Sequence, residues 1–155
     1  MMRILTVCLG NICRSPAAEA AIRAAAAEAA LDVEVDSAGT GRYHIGDGPN
    51  PRSIGAAAAV GLEVTGVARQ VTLDDFESFD LIVAMDHDNL EDLRRLAPSE
   101  AARAKIHLFR DFDIESAGEE VPDPYYGTEV DYRNMIEVIL PAARGLIRHL
   151  EEAGA

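Results

Sequence analysis

The chain has 155 residues, 48% of them hydrophobic and 26% charged, a length and balance that suit one domain built on a single core. Its 27 acidic residues against 14 basic ones leave a net charge of -13. That charge argues against nucleic acid or an anionic membrane surface as partner, and against long-range steering of a phosphorylated ligand. Cys8 and Cys13 are the two cysteines, too few for a disulfide framework and suited to a reducing, cytoplasmic setting. No apolar run approaches a membrane span. The short apolar run after Arg3 is too brief for a secretory signal, and position 2 lacks the glycine that myristoylation needs.

The first predicted element is a buried strand at about Ile4–Val7, from an apolar, β-rich run. A turn follows, Cys8-Leu9-Gly10-Asn11-Ile12-Cys13-Arg14. Ser15 is placed to cap a helix and Pro16 to occupy its first position, and the alanine-rich sequence carries that helix to about Leu31. A second strand is expected at about Val33–Ser37, then a long Gly/Pro-containing loop over Ala38–Asn50. A short helix over Pro51–Val60 should end at Gly61. Thr72–Phe76 reads as one more helical turn. The third strand falls at about Leu81–Met85, and a helix over Asp86–Leu96 is stopped by Pro98. The fourth strand is at about Lys105–Phe109, a second long loop spans Arg110–Glu129, and the last helix spans about Asp131–Glu152, where Pro141 should kink it or shorten its first segment.

Alternating strands and helices imply an α/β domain with a four-stranded parallel sheet and helices on both faces. Sites in such folds lie beyond the carboxyl ends of the strands, and Cys8 stands at one such end. Between a strand end and a helix start, backbone N–H groups lack helical partners and the helix dipole is positive. Together these make an anion site. An arginine closing the turn can hold two phosphate oxygens at once, and the same field favours the thiolate of Cys8 beneath the phosphorus. A nucleotide-binding Walker loop is excluded, because it ends in Gly-Lys-Ser/Thr and the only lysine is Lys105. Alone, Cys8 reads as a buried cysteine after a core strand. In register with Gly10, Asn11, Arg14, Ser15 and Pro16, it reads as a nucleophile. Arg14 is then expected to stabilise the equatorial oxygens of the transition state. Ser15 has a hydroxyl to offer the Cys8 sulfur besides any capping role. Asn11 tolerates left-handed backbone and is expected to fix the loop through its side chain.

Cys8–Pro16 resembles the signature of the low-molecular-weight protein tyrosine phosphatases. Asp36-Ser37-Ala38-Gly39-Thr40, Pro51-Arg52, Ala68-Arg69-Gln70, Phe79-Asp80, Met85-Asp86 and Asp123-Pro124-Tyr125-Tyr126-Gly127 fall in that family's order. The resemblance implies the Rossmann-like phosphatase I fold over residues 1–155. It also implies metal-independent hydrolysis of phosphotyrosine-like aryl monoesters through a phosphocysteine on Cys8, with inorganic phosphate as product and no cofactor. Leu9, Gly10, Asn11, Ile12, Cys13 and Ser15 are expected to bind phosphate or support the loop. Asp123 is the expected acid for the departing phenolate, on backbone restricted by Pro124; that its loop lies over the phosphate loop is what the resemblance implies. Tyr43, Tyr125 and Tyr126 are candidate walls for an aromatic ring. One departure is Gly66, where the family usually carries a histidine that braces the phosphate loop.

Asp86-His87-Asp88-Asn89 reads as a helix cap rather than a metal site, and His44, His107 and His149 form no ligand cluster in sequence. Two rival functions weigh less. An arsenate reductase on this scaffold needs further cysteines to pass a disulfide along, and none follows Cys13. A non-catalytic phosphate-binding module has no need of Cys8 or Asp123. Cys13 is also a candidate redox partner for Cys8, shielding it from irreversible oxidation. The expected partner is a phosphotyrosine protein or small aryl phosphate, and the expected state a monomer or weak dimer.

Overall fold

The computed structural model describes residues 1–154. Its elements are β1 (Met2–Cys8), α1 (Arg14–Glu28), β2 (Val33–Gly39), α2 (Pro51–Ala58), α3 (Asp75–Ser78), β3 (Leu81–Ala84), α4 (His87–Leu96), α5 (Glu100–Arg103), β4 (Ile106–Leu108) and α6 (Glu129–Glu152). Two 3₁₀ turns, Phe109–Phe112 and Ile114–Ser116, stand between β4 and α6. The strands form one parallel sheet in the order β2-β1-β3-β4.

Strand residues alternate between two apolar layers, as the period-2 pleat requires. Ile4 and Cys8 of β1 face a core shared with α1, α2 and α6, while Leu5 and Val7 face one shared with α3, α4 and α5. The chain crosses to one side of β1 through α1 and returns to the other side at β3. The carboxyl ends of β1 and β3 therefore open a crevice at the switch point, and Cys8 and Asp86 lie at those ends.

The element boundaries show where local signals yield. α1 begins at Arg14, so Ser15 is inside the helix and does not cap it, and Pro16 is its third residue. The hydroxyl that would cap is taken by the neighbouring loop, and the proline is tolerated because first-turn N–H groups have no helical acceptor. α1 ends before Leu31 because Ala30 turns left-handed (φ 53°). Leu31 N–H then bonds the Ala26 carbonyl at 2.9 Å and Ala30 N–H the Ala27 carbonyl at 3.2 Å, a Schellman ending. The helical turn expected at Thr72–Phe76 sits at Asp75–Ser78. α5, capped by Ser99, falls in a stretch with no expected element.

Pro141 neither stops α6 nor splits it. The helix loses one hydrogen bond there, but Met135, Ile136, Ile139, Ala142, Ala143, Leu146 and Ile147 are all buried along its length. That burial outweighs a proline's cost of roughly 3 kcal/mol. Further along α6, a Cβ on Gly145 would lie 1.9 Å from the Phe112 carbonyl oxygen. Backbone meets backbone there, with no side chain able to give way. Gly145→Ala should therefore destabilise the fold by about 1–3 kcal/mol, read as a lower urea midpoint. A wild-type midpoint would mean that the 3₁₀ turn moves freely off the helix.

Candidate active site

The Cys8–Arg14 loop is shaped by where its carbonyls go. Thr40 N–H bonds the Cys8 oxygen at 2.9 Å, Gly41 N–H that of Leu9 at 3.0 Å, and Asn50 N–H that of Ile12 at 2.8 Å. The Ser53 hydroxyl bonds that of Cys13 at 3.0 Å. With these oxygens turned outward, peptide planarity turns the N–H groups of Leu9, Gly10, Cys13 and Arg14 the other way. All four residues line a cleft of about 390 Å³, together with Cys8, Ile12, Tyr43, His44, Asp123, Tyr125 and Tyr126. The result is a concave run of backbone donors at the start of α1, an anion cradle. Gly39 is required beside it, because a Cβ there would sit 2.6 Å from the Leu9 oxygen.

Asn11 is the loop's keystone. It is buried and left-handed, with φ 58°, a conformation that asparagine tolerates best among non-glycine residues. Its N–H points at Cys8 Sγ (3.3 Å). Its Nδ2 donates to Ser15 Oγ (2.8 Å) and Ser37 Oγ (3.0 Å), and its Oδ1 accepts from Arg69 N–H (3.0 Å). Arg69 is held in turn by Asp36 and Asp75. Gly66 is left-handed, with open space around its Cα, so support for Asn11 comes from Ser37 and the Arg69 backbone. Ser15 Oγ lies 3.0 Å from Cys8 Sγ, the contact its hydroxyl was expected to offer, while the capping role is not taken up.

Arg14 is 3% exposed. Its Nη1 donates to Asp86 Oδ2 at 2.7 Å and to the Val121 carbonyl at 3.1 Å, and its Nη2 is 3.7 Å from Asp123 Oδ2. Burial works against its charge, but nearby Cys8 and the hydrogen bond and charge of Asp86 outweigh that, raising its pKa above the ordinary guanidinium value. Asp86 also caps α4, its Oδ1 accepting from Asn89 N–H at 2.7 Å. The sequence left the cap to Asp86 or Asp88 and showed nothing of the second role, which depends on β3 ending beside β1. Asp123 is half-exposed above Arg14, and its Oδ1 accepts from Tyr125 N–H at 3.1 Å.

The fold thus brings every expected site residue to one place. Tyr43, Tyr125 and Tyr126 line the cleft, and Tyr126, 97% exposed, stacks edge-on against Tyr125. Sequence reading missed His44, also on the cleft wall, because a lone histidine in a loop carries no pattern. Among the described residues there is no cluster of three or more His, Cys, Asp or Glu able to hold a metal, and no helix long and apolar enough to cross a membrane.

The family model described as low molecular weight phosphotyrosine protein phosphatase matches residues 3–155. The chain belongs to this family. It is 44% identical over 154 residues to the low molecular weight protein-tyrosine-phosphatase of Streptomyces coelicolor, covering 97% of this chain and 94% of that one. The crystal structure of a protein tyrosine phosphatase from Entamoeba histolytica superposes with a TM-score of 0.95 at 40% identity, covering all of both chains. A low molecular weight phosphotyrosine phosphatase from Vibrio cholerae superposes at 0.93 with 33% identity, again over both full chains. As a member of this family, the protein is a phosphatase, a hydrolase.

Cys13 differs sharply from Cys8 in its setting. Its sulfur points to the hydroxyl of buried Tyr132, 3.7 Å away. Burial pushes its thiol up to about 11, with Tyr132 acting in the opposite sense. A folded-state value above the unfolded one means that the neutral thiol adds stability below the unfolded pKa, and that this is lost as pH rises through about 11. At pH 8 Cys13 is therefore protonated and slow to alkylate. Iodoacetamide on the native protein should label Cys8 first, by peptide mass mapping. Preferential labelling of Cys13 would contradict this description of the two thiols.

Proposed function

We propose that the protein hydrolyses phosphotyrosine-like aryl phosphate monoesters through a phosphocysteine on Cys8, without metal or cofactor. The observation that carries this reading is the convergence of Cys8, Arg14 and Asp123 on one cradle of backbone donors. The phosphoryl oxygens take the N–H groups of the phosphate loop and the guanidinium of Arg14, whose Nη1 is already fixed by Asp86. Cys8 Sγ attacks phosphorus, an S–P bond forms and the P–O bond to the aryl group breaks. Asp123 gives its proton to the departing phenolate oxygen. Water then attacks phosphorus, Asp123 takes its proton, and the S–P bond breaks to release inorganic phosphate. The Asn11 N–H and the Ser15 hydroxyl both face Cys8 Sγ, so they stabilise the sulfur as nucleophile and as leaving group. Leu9, Ile12, Tyr43, Tyr125 and Tyr126 give the cleft walls that suit an aromatic ring.

Residues 1–155 act as one phosphatase domain in this reading. The substrate is a phosphotyrosine protein or small aryl phosphate met in the cytoplasm, where both thiols stay free, by a monomer or weak dimer. Nucleic acid and membrane have no part in it, in keeping with the net charge of -13.

The test is paired. Cys8→Ser should abolish turnover while inorganic phosphate still binds. Asp123→Asn should slow phenyl phosphate about 10²–10⁴-fold and the more activated p-nitrophenyl phosphate much less. Near-wild-type rates for the serine variant would overturn the nucleophile assignment, and equal losses on both esters would overturn the acid.

Cys13 is proposed as the redox partner. Peroxide converts Cys8 to a sulfenic acid; the Cys13 sulfur turns from the Tyr132 hydroxyl and attacks the Cys8 sulfur, an S–S bond forms, and the Cys13 proton leaves with the sulfenic hydroxyl as water, slowly because Cys13 is protonated at rest. The wild type should lose activity to hydrogen peroxide and regain it with dithiothreitol, whereas Cys13→Ser should be inactivated without recovery. Equal recovery of both would remove Cys13 from this role.

A further inference from the structure

His44 stands where three loops meet. Its own loop is strapped down by Gly46 N–H on the Ala68 carbonyl (2.9 Å) and Ala68 N–H on the Asp47 carbonyl (2.8 Å), next to the Arg69 backbone that holds Asn11. Within that loop, Asp47 N–H bonds the His44 carbonyl at 2.8 Å, and Asp47 Oδ2 lies 3.3 Å from His44 Nδ1, which fixes the ring's direction. The ring lies against Gly10 of the phosphate loop, its Cδ2 only 3.0 Å from where a Cβ of residue 10 would stand. On the other side it packs against Tyr125, with ring centroids 5.8 Å apart and planes tilted by 48°. Tyr125 is the residue whose N–H holds Asp123 Oδ1 at 3.1 Å, leaving Oδ2 to face Arg14.

We propose that His44 is a positioning residue for Asp123: its ring, braced on Gly10, fixes Tyr125, and the Tyr125 backbone aims the carboxyl group over the phosphate loop. The physical reason is that Asp123 has little else to hold it. Its side chain is 48% exposed, and a half-exposed carboxylate on a loop otherwise samples several rotamers. A general acid out of hydrogen-bond reach of the leaving oxygen loses its effect on the step it serves. Of the histidine, the ring surface matters for Tyr125, and the polar edge matters for Asp47. The inference rests on Asp123 being the acid, as proposed above.

The readout is the ratio of kcat/KM on phenyl phosphate to that on p-nitrophenyl phosphate. A purely structural weakening lowers both esters together, whereas a misplaced acid lowers the ratio. His44→Ala should reduce the ratio about tenfold, a part of the ~10²–10⁴-fold general-acid effect. His44→Gln, which keeps a polar group but no ring, should do the same, and His44→Phe, which keeps a ring against Tyr125, should restore most of it. In an Asp123→Asn background, His44→Ala should change the ratio no further, since both changes act on one group. Thermal unfolding of each variant verifies that it is folded. An unchanged ratio in both His44→Ala and His44→Gln, or the same tenfold fall in the Asp123→Asn background, overturns the positioning role. If Asp123→Asn itself leaves the ratio at the wild-type value, the acid assignment falls and this role with it, while Cys8→Ser still reports on the nucleophile independently.

Discussion

The buried guanidinium of Arg14 joins the three parts of the molecule that have to meet. It opens α1, bonds Asp86 at the end of β3, and bonds the carbonyl of Val121 at the root of the Asp123 segment. A charge this deep is tolerable only when it is paired and fully hydrogen-bonded. Removing one partner of such a pair typically costs about 3–5 kcal/mol, so the relative placement of β1, β3 and the 121–127 segment is tightly constrained. The same bonds leave Nη2 on the cleft side, 3.7 Å from Asp123. One side chain thus ties three segments together and also lines the cleft.

Around that pair, a second network fixes the Cys8–Arg14 loop from below. Asn11 takes bonds from three directions, and its partners are Ser15 on α1, Ser37 on β2 and the backbone of Arg69. A left-handed residue with no such partners would relax toward ordinary backbone and turn its N–H away from the sulfur. The network stands with glycine at position 66. The backbone N–H of Arg69 needs no particular side chain to do this work, but it needs Arg69 in place, and the carboxylates of Asp36 and Asp75 keep it there.

The acidic balance of the chain bears on how an anion is held. A net charge of -13 repels phosphorylated proteins at long range, and salt screens that repulsion within about 8–10 Å. Attraction is therefore confined to the cleft itself, where the donors of the Cys8–Arg14 loop and the charge of Arg14 act at contact distance in a setting of low polarity. Such a site selects by shape and hydrogen-bond geometry more than by charge. Tyr43, Tyr125 and Tyr126 line the same cleft as Cys8 and give it aromatic walls.

The sequence determined the local units and the chemistry they carry. The run Ile4–Val7, the turn Cys8–Arg14 and the alanine-rich helix after it were legible because strand, anion turn and helix each have a short-range signature, and Asp123-Pro124-Tyr125 was legible as a segment whose proline restricts the carboxylate before it. Only the tertiary structure decided how those units serve one another. Of the two roles open to Ser15 in the sequence, the fold keeps the contact with the Cys8 sulfur and drops the cap, because α1 begins one residue earlier and Asn11 bonds the same hydroxyl. Asp86 grips Arg14 because two non-consecutive strands lie side by side. Pro141 passes inside a continuous α6 because the buried faces on either side of it hold the helix to the sheet. His44 joins the cleft because its loop is laced to Ala68 and its ring meets residues 34 and 81 positions away in the chain, at Gly10 and Tyr125. Each of these depends on contacts between segments distant in sequence, which propensity and spacing within one segment do not encode.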